Sequence, residues 1–177
     1  DNKQEYENIT LINEEKREGQ IAAQNKILSN STGDATLLLD GDGTIKPGSL
    51  EELYEVFDGS NVVAGKEIPV TEDSFIGEII DTYGSVHHQL CLKNPRFSTH
   101  MGIFPSDLVN SFPQIVLDDA YVEHRSRQDN LPIEYVSEAV KYHNTPNNTR
   151  FFFHQQKKNW AGRFEAEEKG YWHSKPE

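Results

Sequence analysis

The segment Thr36–Leu39 is the clearest buried-strand signal in the chain, and two aspartates follow it directly. A short apolar run bounded by turn residues predicts a strand inside a sheet. Asp40 and Asp42 place two carboxylates at the end of this strand, and Gly41 and Gly43 give them a flexible backbone. Hard divalent cations take oxygen ligands of this kind and often bridge to phosphates. The segment therefore predicts a cation site at the end of a central strand.

Three other interpretations fit parts of the same segment. As a calcium-binding EF-hand loop with Gly43 at the invariant glycine, it places Leu38 and Ser49 where carboxylates are required. As a haloacid-dehalogenase-type phosphatase, it makes Asp40 the phosphoryl-accepting nucleophile and Asp42 the general acid/base. In that class the motif closes the first strand, whereas a long segment precedes it here, and no convincing later set of a Ser or Thr, a Lys and paired acids follows. A solvated acidic turn is the remaining alternative.

Composition narrows the classes further. The chain has 177 residues, enough for one domain, and its mean hydropathy of -0.71 marks a polar protein. No run approaches the roughly 18 apolar residues of a membrane span, and no signal-peptide pattern opens the sequence, so a cytoplasmic location is expected. The net charge of -12 argues against nucleic-acid binding. The same charge would repel a nucleotide diphosphate unless a bound cation reversed the local field. Cys91 is the single cysteine, so no internal disulfide can form and a packing role is expected.

Periodicity predicts an alternation of helices and strands, which is typical of an α/β layer fold. The predicted helices are Gly19–Leu28, Gly48–Phe57, Asp73–Leu90 with an interruption near Gly84, Leu117–Gln128 and Arg150–Lys169. The predicted strands are Ile9–Ile12, Thr36–Leu39, Asn61–Gly65, Pro132–Val136 and Ala139–His143, with Arg96–Phe104 extended.

Two strings of residues frame the aspartates. REGQIAAQN spans residues 17–25, and TGDATLLLDGDGTIKPGSL spans residues 32–50. This order of a basic residue, Gly, small-x-Asn, TGD, apolar strand, DxD and PGSL resembles the family-two glycosyltransferases of the GT-A fold. A bare DxD is weak evidence in so acidic a chain, but the DxD inside this frame is specific. The resemblance covers about residues 10 to 165.

The resemblance implies an α/β, Rossmann-like nucleotide-diphospho-sugar transferase fold, with a mixed central sheet flanked by helices. Residues 1–177 would form one catalytic domain, with a donor half at about 10–66 and an acceptor half at about 67–170. Members of this family usually begin with a strand, a helix and a second strand that supply much of the base pocket, and only 15 residues precede Lys16 here. We therefore expect an N-terminally truncated fragment with an incomplete donor site.

The donor and metal residues follow from the same resemblance. The implied donor is a UDP- or GDP-linked sugar, bound by Arg17, Gly19, Asn25, Asp40 and Asp42. The two aspartates would hold Mn or Mg against the diphosphate, and Asp40 would alternatively contact the ribose. A histidine that ends a later strand serves as a metal ligand in related enzymes, which points to His143 here. The alternative for Arg17 is an ordinary solvated charge at the surface, and the alternative for His143 is an ordinary structural role.

The acceptor side centres on an acidic pair. Asp118 and Asp119 stand where the family carries its acceptor-side acids, and Asp119 aligns with the catalytic base of an inverting reaction. The alternative for the pair is capping of a helix N-terminus. Met101 and Gly102 belong to the small-residue strand that precedes this acid in the family, and are expected to face the acceptor.

The last helix carries Gln156 and Trp160, which resemble a QxxRW motif and share one helix face. The indole would stack on an acceptor sugar, and the alternative is an ordinary amphipathic helix with Trp160 in the core. Asn159 stands where the motif has Arg, which removes a bidentate phosphate contact, and Arg163 one turn later restores a charge.

A glycan, a lipid-linked molecule or a small molecule would be the acceptor. The resemblance also implies glycan biosynthesis at the cytoplasmic face of a membrane, because QxxRW relatives often continue into membrane helices. A non-catalytic fragment that only binds a sugar nucleotide stays open beside the phosphatase alternative.

Overall fold

The computed structural model describes residues 10–13, 16–98, 100–145 and 149–172. Helices in this part are α1 (Gln20–Asn30), α2 (Ser49–Val56), α3 (Phe75–Lys93), α4 (Asp118–Gln128) and α5 (Thr149–Glu168). Strands are β1 (Ala35–Leu39), β2 (Gly43–Ile45), β3 (Val62–Val70), β4 (Met101–Pro105) and β5 (Ile133–Asn144). Among the described residues, no helix combines the length and the apolar composition that crossing a membrane requires.

The five strands form one mixed sheet in the order β1-β4-β3-β5-β2. β3 and β5 pair in parallel, while the β1–β4, β3–β4 and β2–β5 pairs are antiparallel. The predicted mixed α/β sheet with flanking helices is therefore confirmed. The two edge strands, β1 and β2, are joined by Asp40–Asp42 alone, and four peptide units span at most about 15 Å. The sheet must curl so that its edges approach each other at the two aspartates.

Hydrophobic residues cover both faces of this sheet. Successive strand residues point to opposite faces, so Val62 and Ala64 join one cluster with Phe104 and Val122, while Val63 lies in the other. The second cluster holds Leu53, Val63, Met101, Ile103, Val136 and Ala139. β3 and β4 contribute residues to both clusters, so these two strands are packed on both faces.

Several local predictions were wrong. Residues 10–12 form no strand in the structure, and Ile9 lies outside the described residues. The two predicted strands Pro132–Val136 and Ala139–His143 are one strand, β5, with an irregularity opposite Gly65 and Lys66. α3 is continuous through Gly84, where a Cβ would lie 3.0 Å from Cδ of Pro69 on β3. That glycine allows the helix to lie close to β3 and does not break it.

Gly102 on β4 gives the first testable prediction. A Cβ at this position would lie 2.3 Å and 2.6 Å from ring atoms of Phe97 and 2.7 Å from the carbonyl oxygen of Ser98. Gly102→Ala is expected to lower the free energy of unfolding by about 1–3 kcal/mol, because overpacking a rigid core costs that much. Chemical denaturation measures the change. Gly33→Ala, whose Cβ would make only an ordinary 3.5 Å contact, is the matched control. Equal stability of the two variants would contradict the packing of Phe97 on this glycine.

Candidate active site

Acidic and histidine side chains from four segments meet where the sheet curls. Leu39 pairs with Met101 in the antiparallel β1–β4 ladder. The next residues outward, Asp40 and His100, are therefore neighbours, and Oδ2 of Asp40 lies 2.7 Å from Nδ1 of His100. Glu67 on β3 adds a third group, with its Oε2 3.4 Å from Nε2 of His100.

His143 on β5 closes the cluster from the other side. It pairs with Gly43 of β2 and with Pro69 of β3, which holds its ring between the two carboxylates of Asp42 and Glu67. Its Nε2 lies 3.0 Å from Oδ2 of Asp42, and its Nδ1 makes a short contact with Oε1 of Glu67. The centres of the His100 and His143 rings are 5.1 Å apart. Along these contacts, three carboxylates alternate with two imidazoles.

Lys141 places a buried positive charge beside Asp42. Its side chain is 1% exposed, and Nζ lies 3.3 Å from Oδ1 of Asp42. Lys141 and His143 are two residues apart on β5 and therefore point to the same face. A Cβ at Gly43 would lie 2.9 Å from Cε of Lys141 and 2.2 Å from the carbonyl oxygen of Tyr142. The second glycine of the turn thus makes room for the lysine under the DxD backbone.

Mutual attraction favours the charged forms of Asp40, Glu67, His100 and His143. Burial raises the pKa of Asp40, but the contact with His100 and the charges of Lys141 and His143 outweigh it, and the net pKa is lowered. The pKa of Glu67 is lowered in the same way, against the effect of burial, chiefly by His143. The pKa values of both histidines are raised: that of His100 by Asp40 and Glu67 against its burial, and that of His143 first by Glu67.

The donor set fits a divalent metal ion. One ligand atom each from Glu67, His100 and His143 lies within 4.8 Å of the others. Nδ1 of His100 is buried and makes no well-directed hydrogen bond, although Asp40 is close to it. Imidazole nitrogens and carboxylate oxygens are ordinary ligands of transition-metal ions. Asp40 and Asp42 adjoin this group, so the predicted metal residues Asp40, Asp42 and His143 all lie in one place.

The acidic pair predicted for the acceptor side begins α4, and its two members have different surroundings. Burial and the neighbouring charge of Asp118 raise the pKa of Asp119 to about 6, while His100 and Arg96 oppose the rise. The charge of His100, in the cluster at the sheet edge, therefore lowers the pKa of Asp119. Asp118 is buried and accepts hydrogen bonds from Gln20 (3.1 Å) and Gln24 (2.6 Å) of α1.

The other three predicted donor residues, Arg17, Gly19 and Asn25, lie in or just before α1. Arg17 is exposed before the helix, and Gly19 caps it with a φ of 101°, a conformation that favours glycine. The amide of Asn25 donates to the carbonyl oxygen of Phe112 (2.9 Å) and accepts from its N–H (2.7 Å). Asn25 thus fixes the segment between β4 and α4, and its role toward a donor stays a prediction, as do those of Arg17 and Gly19.

The predicted acceptor residues fall into two groups. Met101 is 1% exposed in the second core cluster, and Gly102 packs on the Phe97 ring. These are packing contacts, and an acceptor role for the two residues stays a prediction. Gln156 is partly buried on α5, and Trp160 is 56% exposed, with the guanidinium of Arg163 5.3 Å from its ring centre. The exposed indole agrees with a stacking surface better than with a core residue.

Sequence reasoning missed Glu67, His100 and Lys141. The alternation of Lys141 and His143 in the string AVKYH is a usable signal, because it places a cation on the same strand face as the predicted ligand. Glu67 and His100 carry no comparable local signal, since their positions depend on the register of the β1–β4 and β3–β5 pairs.

Comparison with known proteins identifies the family of this chain. The sequence profile described as "Glycosyl transferase family 2" matches residues 1–104, which include the TGD segment, the DxD turn, β3 and most of β4. The chain belongs to glycosyl transferase family 2. Membership of this family leaves the EF-hand and phosphatase alternatives without support. No curated protein matches the sequence significantly.

Solved glycosyltransferases share the fold. A mannosyltransferase from Pyrobaculum calidifontis, solved with GDP-Man and Mn2+, superimposes with a TM-score of 0.59 and 18% identity, covering 79% of this chain and 40% of its own. Mannosyl-3-phosphoglycerate synthase from Rubrobacter xylanophilus gives a TM-score of 0.52 and 13% identity, covering 90% of this chain and 54% of its own. This family-two chain thus spans about half the length of those proteins, and the predicted GT-A fold is confirmed.

Proposed function

We propose that this family-two chain forms the catalytic part of an inverting glycosyltransferase, which moves a sugar from a nucleotide-diphosphate donor to an acceptor hydroxyl. The observation that carries the proposal is the meeting of Asp40 and Asp42 with Glu67 and two histidines at one end of the sheet. Such a cluster suits a divalent ion, and a divalent ion would allow so acidic a protein to bind a diphosphate.

Asp40, Asp42 and His143 are the residues that would hold Mn or Mg. When bound, the ion would neutralise the charge that develops on the nucleotide diphosphate as it leaves. Lys141 contributes a fixed positive charge beside Asp42, which keeps that carboxylate in place in the curled turn. A UDP- or GDP-linked sugar is the proposed donor, supported by the GDP-Man bound to the similar mannosyltransferase.

Asp119 is the proposed base. Its carboxylate takes the proton of the acceptor hydroxyl as that oxygen forms a bond to the anomeric carbon, and the bond from this carbon to the diphosphate oxygen breaks on the opposite face. The nucleotide diphosphate leaves with the bonding electrons and needs no proton. Burial and Asp118 raise the pKa of Asp119 to about 6, which makes it a stronger base than an exposed aspartate and leaves it ionised at neutral pH.

Asp118 acts through position. Its carboxylate is buried and accepts hydrogen bonds from Gln20 and Gln24, so it ties the start of α4 to α1. This tie fixes Asp119 relative to the segment after the basic-Gly motif, where the donor is expected. The exposed Trp160 on α5 is proposed to stack on an acceptor sugar.

The direct test is release of a nucleotide diphosphate. Purified protein would be incubated with UDP-glucose or GDP-mannose, a panel of glycan, lipid-linked and phosphoglycerate acceptors, and Mn2+ or EDTA, and released UDP or GDP quantified. The proposal expects release above background with at least one donor–acceptor pair, lost in EDTA and in Asp119→Asn. Glu138→Gln, an exposed acid on β5, is the control that keeps full release.

A second candidate is a chain that binds the sugar nucleotide without turnover. The observation that favours it is the coverage of about half of each solved glycosyltransferase. It predicts metal-dependent nucleotide binding with no release for any acceptor. Equilibrium dialysis of labelled UDP and GDP, run beside the release assay, separates the two candidates.

A further inference from the structure

We propose that Glu67 and His100 are metal ligands together with His143, and that this set of two imidazoles and a carboxylate selects a transition-metal ion over magnesium. The inference rests on the proposed function only for the site's purpose, since it adds two ligands and a cation preference to the DxD group. Neither residue belongs to the motif that predicts the site.

Strand positions bring the three ligands together. β4, β3 and β5 are adjacent in the sheet, and they position His100 just before β4, Glu67 within β3 and His143 within β5. Register fixes them further: Glu67 pairs with Lys141, and Pro69 pairs with His143, in the parallel β3–β5 ladder. A site built on paired strands holds its ligands more firmly than one on loops.

Distances allow one ion to bind all three. Their candidate ligand atoms lie within 4.8 Å of one another. Ligands about 2.0–2.2 Å from a single ion are roughly 3–4 Å apart. Side-chain rotations that move the ligand atoms by about an ångström would close the site without moving a strand.

The present contacts are ones that an ion would replace. Glu67 contacts both imidazoles, with one carboxylate oxygen on each ring. Nδ1 of His100 is buried beside Oδ2 of Asp40 without a well-directed hydrogen bond, and coordination to an ion would give this ring a directed partner. A cation among the three groups would bind both carboxylate oxygens and a nitrogen of each ring in place of these contacts.

Ligand chemistry sets the preference. Magnesium demands oxygen ligands in a nearly ideal octahedron and gives up its water reluctantly. Imidazole nitrogens favour zinc, copper, iron and nickel, and affinity for mixed sites rises from manganese to cobalt and nickel. Two histidines therefore raise affinity for transition metals, whereas a DxD pair alone, with oxygen ligands only, would accept magnesium as well.

Metal binding without nucleotide tests the inference. Titration calorimetry of the EDTA-treated, dialysed full chain with MnCl2, CoCl2 and MgCl2 is expected to show Mn2+ and Co2+ binding about tenfold or more tighter than Mg2+. Bound Co2+ should give visible absorption bands that report nitrogen ligands. Glu67→Gln and His100→Ala are each expected to weaken Mn2+ binding about tenfold or more. His154→Ala, an exposed histidine on α5, is the matched control and should bind as the original protein does.

The possible outcomes test the metal-ligand inference and the proposed function separately. Equal affinity for Mg2+ and Mn2+, or unchanged Mn2+ affinity in folded Glu67→Gln, overturns the inference. Glu67→Gln keeps side-chain shape, so it answers the question if His100→Ala fails to fold. Selective metal binding without any nucleotide-diphosphate release would leave the inference standing and count against the proposed function. Release supported equally by Mg2+ and unaffected by Glu67→Gln would do the reverse.

Discussion

Asp119→Asn is expected to remove sugar transfer while leaving donor binding in place. An amide cannot take the acceptor proton, and loss of a positioned general base typically slows a reaction about 10²–10⁴-fold. The side chain keeps its shape, and its oxygen can still accept the 2.8 Å hydrogen bond from the N–H of Ala120. The drop should therefore appear in kcat, with the KM for the donor little changed. A loss confined to KM would contradict the role of Asp119 as base.

The same substitution is expected to stabilise the fold at neutral pH. Burial raises the pKa of Asp119 from 3.8 to about 6, so the charged form is disfavoured in the folded state. The difference corresponds to at most about 3 kcal/mol. Because the folded pKa is the higher one, the penalty is absent below about pH 3.8, grows toward pH 6 and is complete above it. Thermal unfolding of Asp119→Asn should thus show a raised Tm at pH 8 and little difference near pH 4.

The pH dependence of transfer gives an independent check on Asp119. A base must be deprotonated to act, so kcat/KM should rise with pH through about 6 and then level off. A limb near pH 4 would indicate an exposed carboxylate as the base. Stopped assays between pH 5 and 8, with saturating Mn2+ and a buffer that does not bind the metal, resolve the two cases.

Asp42→Asn is expected to have the second large effect, on metal-dependent donor binding and on stability together. The substitution removes a charged oxygen ligand and leaves the amine of Lys141, only 1% exposed, without its carboxylate partner. Removal of one partner from a fully buried ion pair costs about 3–5 kcal/mol, and the 56% exposure of the Asp42 side chain reduces the expected cost to about 1–3 kcal/mol. Chemical denaturation in EDTA measures it.

A double variant separates the two effects of Asp42. Asp42→Asn combined with Lys141→Met removes the unpaired charge and should recover most of the lost stability. Binding of GDP or UDP in the presence of Mn2+ should stay absent in this variant, since the carboxylate is still missing. Recovery of nucleotide binding along with stability would mean that Asp42 acts only through the fold.

The sequence was most informative where chemistry is local. An apolar run with acids at its end identified β1 and the DxD turn, and a pair of acids before a helical pattern identified the start of α4. The β2 strand was missed because three residues, Gly43–Ile45, are too short to show a period. Glu67 and His100 escaped notice because their meeting with Asp40 depends on pairings between strands distant in sequence.

Polar residues whose partners are distant in sequence were the other limit of the local pattern. A lysine in a strand pattern is ordinarily assigned to the solvent side, yet Lys141 lies under the DxD turn, where Asp42 offsets its charge. Asn25 fitted a donor role in the motif, and in the structure both ends of its amide bind the backbone of Phe112. In each case the decisive partner is about 90 residues away or more, beyond the reach of local pattern.

Thermal unfolding of the protein with GDP or UDP, measured with Mn2+ and again with EDTA, tests most directly whether the cluster around Asp40 and Asp42 binds a diphosphate through a metal ion. We predict a rise in Tm with one of the two nucleotides only when Mn2+ is present, and no rise for Asp42→Asn combined with Lys141→Met. A nucleotide-induced rise of the same size in EDTA would contradict the account, as would its persistence in the double variant.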